Sequence, residues 1–143
     1  MTTMSPPESR VHDVIRSLCG FAEATTGVEH AICVSGDGLL LAHSARLDRS
    51  QADALAAIVA GLRSLSDGGA RLIGRGGASQ VIVEMFHGYL FAGSVGNGVS
   101  IGVLTTGTAE LGIVGYAMTV FAQHIGSRLT PDLVAELRCQ HGR

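Results

Sequence analysis

Lysine and tryptophan are missing from this chain, and all ten basic residues are arginines. Without lysine there is no P-loop lysine, no Schiff base and no lysine general base. Aromatics are scarce, four Phe and two Tyr, which leaves little for an aromatic cage around a ligand. Charge is thin: 15% of residues are charged and the formal net charge is −2. The arginines are dispersed and form no basic stripe with interleaved aromatics, so nucleic acid is not an expected partner. Cys19, Cys33 and Cys139 lie far apart, with no CxxC and no Cys/His pairing. That argues against a disulfide framework or a zinc site. No apolar run approaches the ~18 to 20 residues of a spanning helix, so no membrane insertion is expected. Residues 1–10 lack the basic-then-apolar pattern of a signal peptide. The cytoplasm is the expected compartment.

What is present is an ordinary apolar share, 46% of 143 residues, enough to bury a core in a single domain. Residues 1–9 are polar with two prolines and read as a flexible lead-in. Val11, Val14, Ile15, Leu18 and Phe21 then recur at helical spacing, predicting a helix over about 10–25 that Gly27 ends. Asp37-Gly38 between two apolar runs is a hairpin signal, with strands at about 29–35 and 39–44. Asp48 or Ser50 can cap a second helix running to about Ser66, where Asp67-Gly68-Gly69 is read as its stop.

That middle helix carries two stripes. Leu55, Ile58, Val59, Leu62 and Leu65 predict a face turned to a sheet. Ala54, Ala57, Gly61 and Ser64 form an adjacent face of small residues, which lets another helix backbone come close, in this chain or in another subunit. After a Gly/Arg loop over 72–78, strands are expected at 80–86, 89–95 and 99–105, joined by His87-Gly88 and Gly96-Asn97-Gly98. Val81 to Phe86 is apolar on both alternating faces, which predicts that both faces are covered. A long helix over about 108–129 follows, with Leu111, Val114, Met118, Phe121, Ile125 and Leu129 as its core stripe. Ile113, Tyr116, Val120 and His124 lie across from that stripe and suggest a second neighbour. Pro131 can start a short helix over 132–138, with the remainder frayed.

Two helices, one before and one after a hairpin, then a three-strand meander and a last helix, predict an α+β fold. Its centre is a mainly antiparallel five-stranded sheet with helices on both faces. The middle helix, ~27 Å long, is long enough to carry the chain across five strands spaced ~4.8 Å apart. The third strand then lies at an edge, free to pair with another chain.

Several residue groups invite sharper readings. Gly74-Arg75-Gly76-Gly77 has the glycines of a phosphate loop, but no Lys-Ser/Thr and no helix follow it. Cys19 and Cys33 read as small core hydrophobes, Cys139 as exposed. The six histidines, His12, His30, His43, His87, His124 and His141, show no HxH or Hx3H ligand spacing. Glu84 is a charge inside an apolar strand, which requires exposure, a partner such as Arg63 or Arg71, or a place at an interface. Arg63, Arg71 and Arg75 are positioned as possible arginine fingers, though nothing selects one. No catalytic, cofactor or metal residue is assigned.

The element order, with Gly27-Val28-Glu29-His30-Ala31 and Val34-Ser35-Gly36-Asp37-Gly38-Leu39-Leu40-Leu41-Ala42, resembles the roadblock (dynein light chain) family, bacterial branch. The Ala-rich middle helix, Val81-Ile82-Val83-Glu84-Met85 and Gly88-Tyr89-Leu90-Phe91 are similar as well. The resemblance spans roughly residues 11–130, which sets a roadblock domain at 10–130 and leaves 131–143 as a short C-terminal helix or tail outside the pattern. It implies a roadblock/profilin-like α/β/α sandwich, sheet order 2-1-5-4-3, with one helix on one face and two on the other. It also implies homodimers built from third strands and middle helices, and Ras-like small GTPases as partners. A sensor-kinase-like protein is a further implied partner, because in actinobacteria such proteins are encoded together. The function that follows is a non-catalytic homodimeric adaptor or regulator, activating or scaffolding. The expected dimer or partner interface is Ala54, Ala57, Gly61, Ser64, Val81, Val83 and Glu84. The alternative is a small-ligand-sensing domain of profilin or PAS-like outline; an enzyme is the third reading, with no motif behind it.

Overall fold

A computed structural model describes residues 6–44 and 46–141. The chain runs α1 (Pro6–Ala24), β1 (Val28–Val34), β2 (Leu40–His43), α2 (Arg49–Leu72), β3 (Gln80–Met85), β4 (Gly88–Gly96), β5 (Val99–Thr106), α3 (Leu111–Gly126) and α4 (Pro131–His141). Of the lead-in expected over 1–9, residues 1–5 lie outside the described residues. Residues 6–9 are already helical, with prolines in the first turn, where a missing N–H breaks no bond.

The five strands form one antiparallel sheet in the order β2-β1-β5-β4-β3. Strand alternation divides the core in two. Ala31, Cys33, Leu41, Phe91 and Ile101 meet α1, α3 and α4, while Ile32, Val34, Leu90 and Ala92 meet α2. The β1–β2 turn is held by its own backbone, Ser35 N–H to the Leu39 carbonyl at 2.9 Å and Gly38 N–H to the Ser35 carbonyl at 3.0 Å. Gly38 has φ +87°, a conformation that other residues adopt only with strain.

The middle helix departs most from the sequence pattern. It does not stop at Asp67-Gly68-Gly69 but continues to Leu72. The stop is Gly74 at φ +71°, with the Ile73, Gly74 and Arg75 N–H groups bonded back to the Gly69, Arg71 and Ala70 carbonyls. Asp67 serves the helix interior by pairing with Arg63 one turn earlier. Its N-cap is Asp48, whose carboxylate accepts from Gln51 N–H at 2.9 Å.

The helix is also rotated relative to the expected leucine face. Ala52, Ala56 and Val59 are fully buried, Leu55 and Leu62 are half-buried, and Ile58 and Leu65 face outward. The cause lies in the sheet. A Cβ on Gly102 of β5 would sit 2.6 Å from Val59 Cγ2, so α2 seats Val59 directly over that glycine and uses alanines to come close. Gly102→Ala is therefore expected to lower stability by ~1 to 3 kcal/mol through overpacking, read by urea denaturation. Adding Val59→Ala should recover part of the loss, and a wild-type midpoint for Gly102→Ala would contradict this packing.

At the other end, α4 is part of the core rather than a tail. Leu133 and Leu137 are buried beside Leu129 against α1 and β2. Thr130 caps the helix by accepting from Leu133 N–H at 3.2 Å. Asn97 Nδ2 in the β4–β5 turn donates to the Leu129 carbonyl at 2.6 Å.

Candidate protein-interaction surface

The side of α2 away from the sheet is built from residues the fold does not use. Ala54, Ile58, Gly61, Leu65, Gly68 and Leu72 recur at spacings of four and three residues and all are exposed. Ile58 is 53% exposed, Leu65 78% and Leu72 87%. A Cβ built on Gly61 or Gly68 would meet nothing within 4 Å, so within one chain neither glycine is required by packing. The stripe runs ~27 Å along the helix and alternates small and large apolar residues. Ala57 and Ser64 flank it and are exposed as well.

Beside this face lies β3, an outermost strand of the sheet. The expectation that both its faces are covered fails. Val81 and Val83 are half-buried against α2's side of the core, while Ile82, Met85 and Phe86 are exposed. Glu84 is exposed, opposite Tyr89 of β4 and on the face turned away from α2. Its charge sits in water, which accounts for it without a partner arginine.

Arg63 is not available to Glu84 or as an arginine finger. One of its terminal nitrogens donates to the Ala78 carbonyl, the other lies 3.7 Å from Asp67 Oδ2, and Asp67 Oδ1 accepts from Ala78 N–H at 2.8 Å. Both backbone groups of Ala78 are thus gripped by one turn of α2, which fixes where β3 begins. Arg71 and Arg75 are exposed.

The structure therefore brings Ala54, Ala57, Gly61 and Ser64 onto one open helix face, and ties Val81 and Val83 to the same layer. Glu84 lies on the other face of the sheet and does not join them. Sequence reasoning missed Ile58, Leu65, Gly68 and Leu72 on the outer stripe. Their four–three spacing with Ala54 and Gly61 was the available signal; the leucines read as core and Gly68 as a stop.

The electrostatics elsewhere are structural. Burial pushes the Cys33 thiol up to about 12, so it stays protonated and unreactive at neutral pH. Asp37 in the β1–β2 turn is held below the usual carboxylate range by the Ser35 hydroxyl first, with Arg138 of α4 adding at 2.9 Å. A lowered carboxylate supports the fold above its unfolded value of ~3.9 and loses that support as pH falls through the folded value. Asp37→Asn should therefore narrow the stability difference between pH 7 and pH 3, and an unchanged difference in urea melts would count against this role. Among the described residues, no group of three or more His, Cys, Asp and Glu is placed to hold a metal ion, and no helix is long and apolar enough to cross a membrane.

The Roadblock/LC7 domain model matches residues 15–105. The chain belongs to the Roadblock/LC7 family. The crystal structure of a roadblock/LC7 domain from Streptomyces avermitilis is 28% identical with a TM-score of 0.74, covering 78% of this chain and 92% of that one. A second Streptomyces roadblock/LC7 domain is 33% identical with a TM-score of 0.65, covering 78% and 97%. Myxococcus xanthus MglB superimposes with a TM-score of 0.74 over 80% of this chain and 93% of its own, at 18% identity, a likeness of fold alone. No curated protein sequence matches the chain. The roadblock domain model ends before α3, so α3 and α4 are described by this structure rather than by the family match.

Proposed function

We propose that two copies of this roadblock protein pair through α2 and β3, and that the pair binds a Ras-like small GTPase as a non-catalytic regulator or scaffold. The observation that carries the pairing is the order of residues on the open face of α2. Turned end for end about Arg63, the stripe matches itself. Ala54 comes opposite Leu72, Ile58 opposite Gly68, and Gly61 opposite Leu65, so every large apolar residue meets a small one. Each buried Ile or Leu would contribute ~1.5 to 3 kcal/mol relative to exposure. The outer edge of β3 supports the same two-fold, because antiparallel pairing of two such edges would extend both sheets into one.

Membership of the roadblock family supports a GTPase partner, through what the roadblock resemblance implies, and with it a role in signalling. A non-catalytic role is consistent with a fully buried, protonated Cys33 and an Arg63 committed to its own loop. A sensor-kinase-like protein is a second proposed partner, and the cytoplasm the proposed location.

The test is binding between the purified protein and the Ras-like small GTPase encoded nearest to it, loaded with GDP or a GTP analogue, with hydrolysis followed in the same samples. Nucleotide-dependent binding is expected, weakened in Leu65→Asp. Faster hydrolysis would make the protein an activator, and binding indifferent to nucleotide a scaffold. No binding in either state would sink the GTPase reading and favour the small-ligand sensor.

A further inference from the structure

The α2 side of the sheet changes character at one end. Through most of the layer it carries apolar side chains, Ile32, Val34, Leu90 and Ala92. At the next cross-strand level it carries a pair of serines, Ser94 of β4 opposite Ser100 of β5. Neighbouring Ile101 belongs to the core on the other side of the sheet, so alternation turns Ser100 and its partner toward α2. Here the helix does not close on the strands. A cavity of about 260 Å³ remains between them, and four of its ten lining residues are serines. Its floor is buried, at Ser35, Val99 and Ser100, while Gly36, Ser94 and Gly98 at its mouth are exposed.

Arg63 and Asp67 of α2 complete the lining. The terminal nitrogens of Arg63 are directed to the Ala78 carbonyl and to Asp67, but its Nε is buried and makes no hydrogen bond. Buried donors are rarely left without an acceptor. Asp67 Oδ1 accepts from Ala78 N–H at 2.8 Å, whereas Oδ2 lies 3.7 Å from the nearer Arg63 nitrogen, too far for a hydrogen bond. The cavity therefore holds one cationic donor and one carboxylate oxygen with bonding capacity to spare. Between them stand the hydroxyls of Ser94 and Ser100, each able to donate and to accept.

We infer that this cavity binds a small zwitterion, an α-amino acid with a short side chain. Its carboxylate accepts from Arg63 Nε–H and from the serine hydroxyls, and its ammonium faces Asp67. Charge selects the class. A bare anion would meet the Asp67 carboxylate and a bare cation the Arg63 guanidinium, like charges in each case. A molecule carrying both charges a few bonds apart opposes neither, and its carboxylate makes charge-assisted bonds to the buried donor. Size selects it too, because the cavity is smaller than the ~300 to 1,000 Å³ of sites for drug-sized ligands. Neither the pairing of two chains nor GTPase binding draws on these groups.

The test is a titration of the isotope-labelled full chain with glycine, L-alanine and L-serine, followed by NMR at the Arg63 side-chain N–H and the Ser94 and Ser100 amides. Acetate, methylamine and glycerol are titrated in parallel. The amino acids should move these signals saturably. Ser100→Ala should weaken binding about tenfold or more, the worth of a hydrogen bond to a charged group. Ser94→Ala, at an exposed position, should weaken it as well with an unchanged circular dichroism spectrum. Signals that stay still at every amino-acid concentration overturn the inference. An equal response to acetate, methylamine or glycerol makes this a plain ion or polyol site and overturns it too. So does an affinity unchanged in both serine variants, which would put the ligand elsewhere. Dimerisation and GTPase binding can hold or fail without altering any of these outcomes.

Discussion

Replacing Gly61 by leucine is expected to convert the two-chain species into single chains, and adding Leu65→Gly is expected to bring it back. In the proposed pair, Gly61 of one copy lies opposite Leu65 of the other, and the two-fold repeats the contact. A leucine at 61 puts two large side chains where the helices approach, at ~1 to 3 kcal/mol for each overpacked contact. Two contacts together weaken association by roughly 30-fold to 10⁴-fold, at tenfold per 1.4 kcal/mol. The double variant exchanges the partners, so a leucine at 61 again faces a glycine at 65.

The single chain should be indifferent to the first change. Gly61 is exposed and its Cβ direction is empty, and leucine is a better helix former than glycine by ~1 kcal/mol or less. Thermal stability of the monomer should hold or rise while the dimer is lost, which separates association from folding. The measurement is native mass or sedimentation across a concentration series. If Gly61→Leu stays at two chains, or if the double variant does not recover them, the α2 register is wrong.

The second large effect is at the opposite end of the chain. A protein stopped after Thr130 should fail to fold stably, because α4 is the wall of the larger core layer. Leu133 and Leu137 are buried, and losing each is comparable to a core truncation of ~2 to 5 kcal/mol. Together that approaches the ~5 to 15 kcal/mol that holds a whole domain folded. Removal would also open Leu41 and Leu129 to water and cut the Arg138–Asp37 tie to the β1–β2 turn. Leu137→Ala is the graded version, expected to lower the urea midpoint by the equivalent of ~2 to 5 kcal/mol. A truncated chain that melts cooperatively near the wild-type temperature would show that α4 is dispensable.

These two sites were legible to different degrees. The strands and both tight turns could be read because their signals are local: Asp37-Gly38 and Asn97-Gly98 sit between apolar runs, and a hairpin needs only its own few residues. The small-residue face of α2 was legible for the same reason, since four positions at helical spacing define a face whatever surrounds it. Its continuation was not. Leu65 reads as core and Gly68 as a terminator until the helix is seen to turn Val59 onto Gly102 and leave Leu65 outside. A leucine on a wheel marks an apolar direction, but which of two apolar directions faces the sheet is set by the surface it must fit. The role of α4 was hidden similarly, because Leu133, Val134 and Leu137 are a few apolar residues in a segment too short for its periodicity to mark a core face.

By itself, the sequence determined the order of elements, the hairpin turns at Asp37-Gly38 and Asn97-Gly98, a small-residue face on the middle helix and the roadblock resemblance. Its lack of lysine and of ligand spacing argued against the commoner enzyme and metal chemistries. Only the tertiary structure decided how α2 is rotated, that it runs on to Leu72, that Arg63 is spent on Ala78, and that α4 closes the core. The physical reason is the range of the interactions. Turns, caps and periodicity are fixed by neighbours a few residues away, whereas rotation and coverage depend on side chains, such as Val59 over Gly102, that meet only after the sheet has formed.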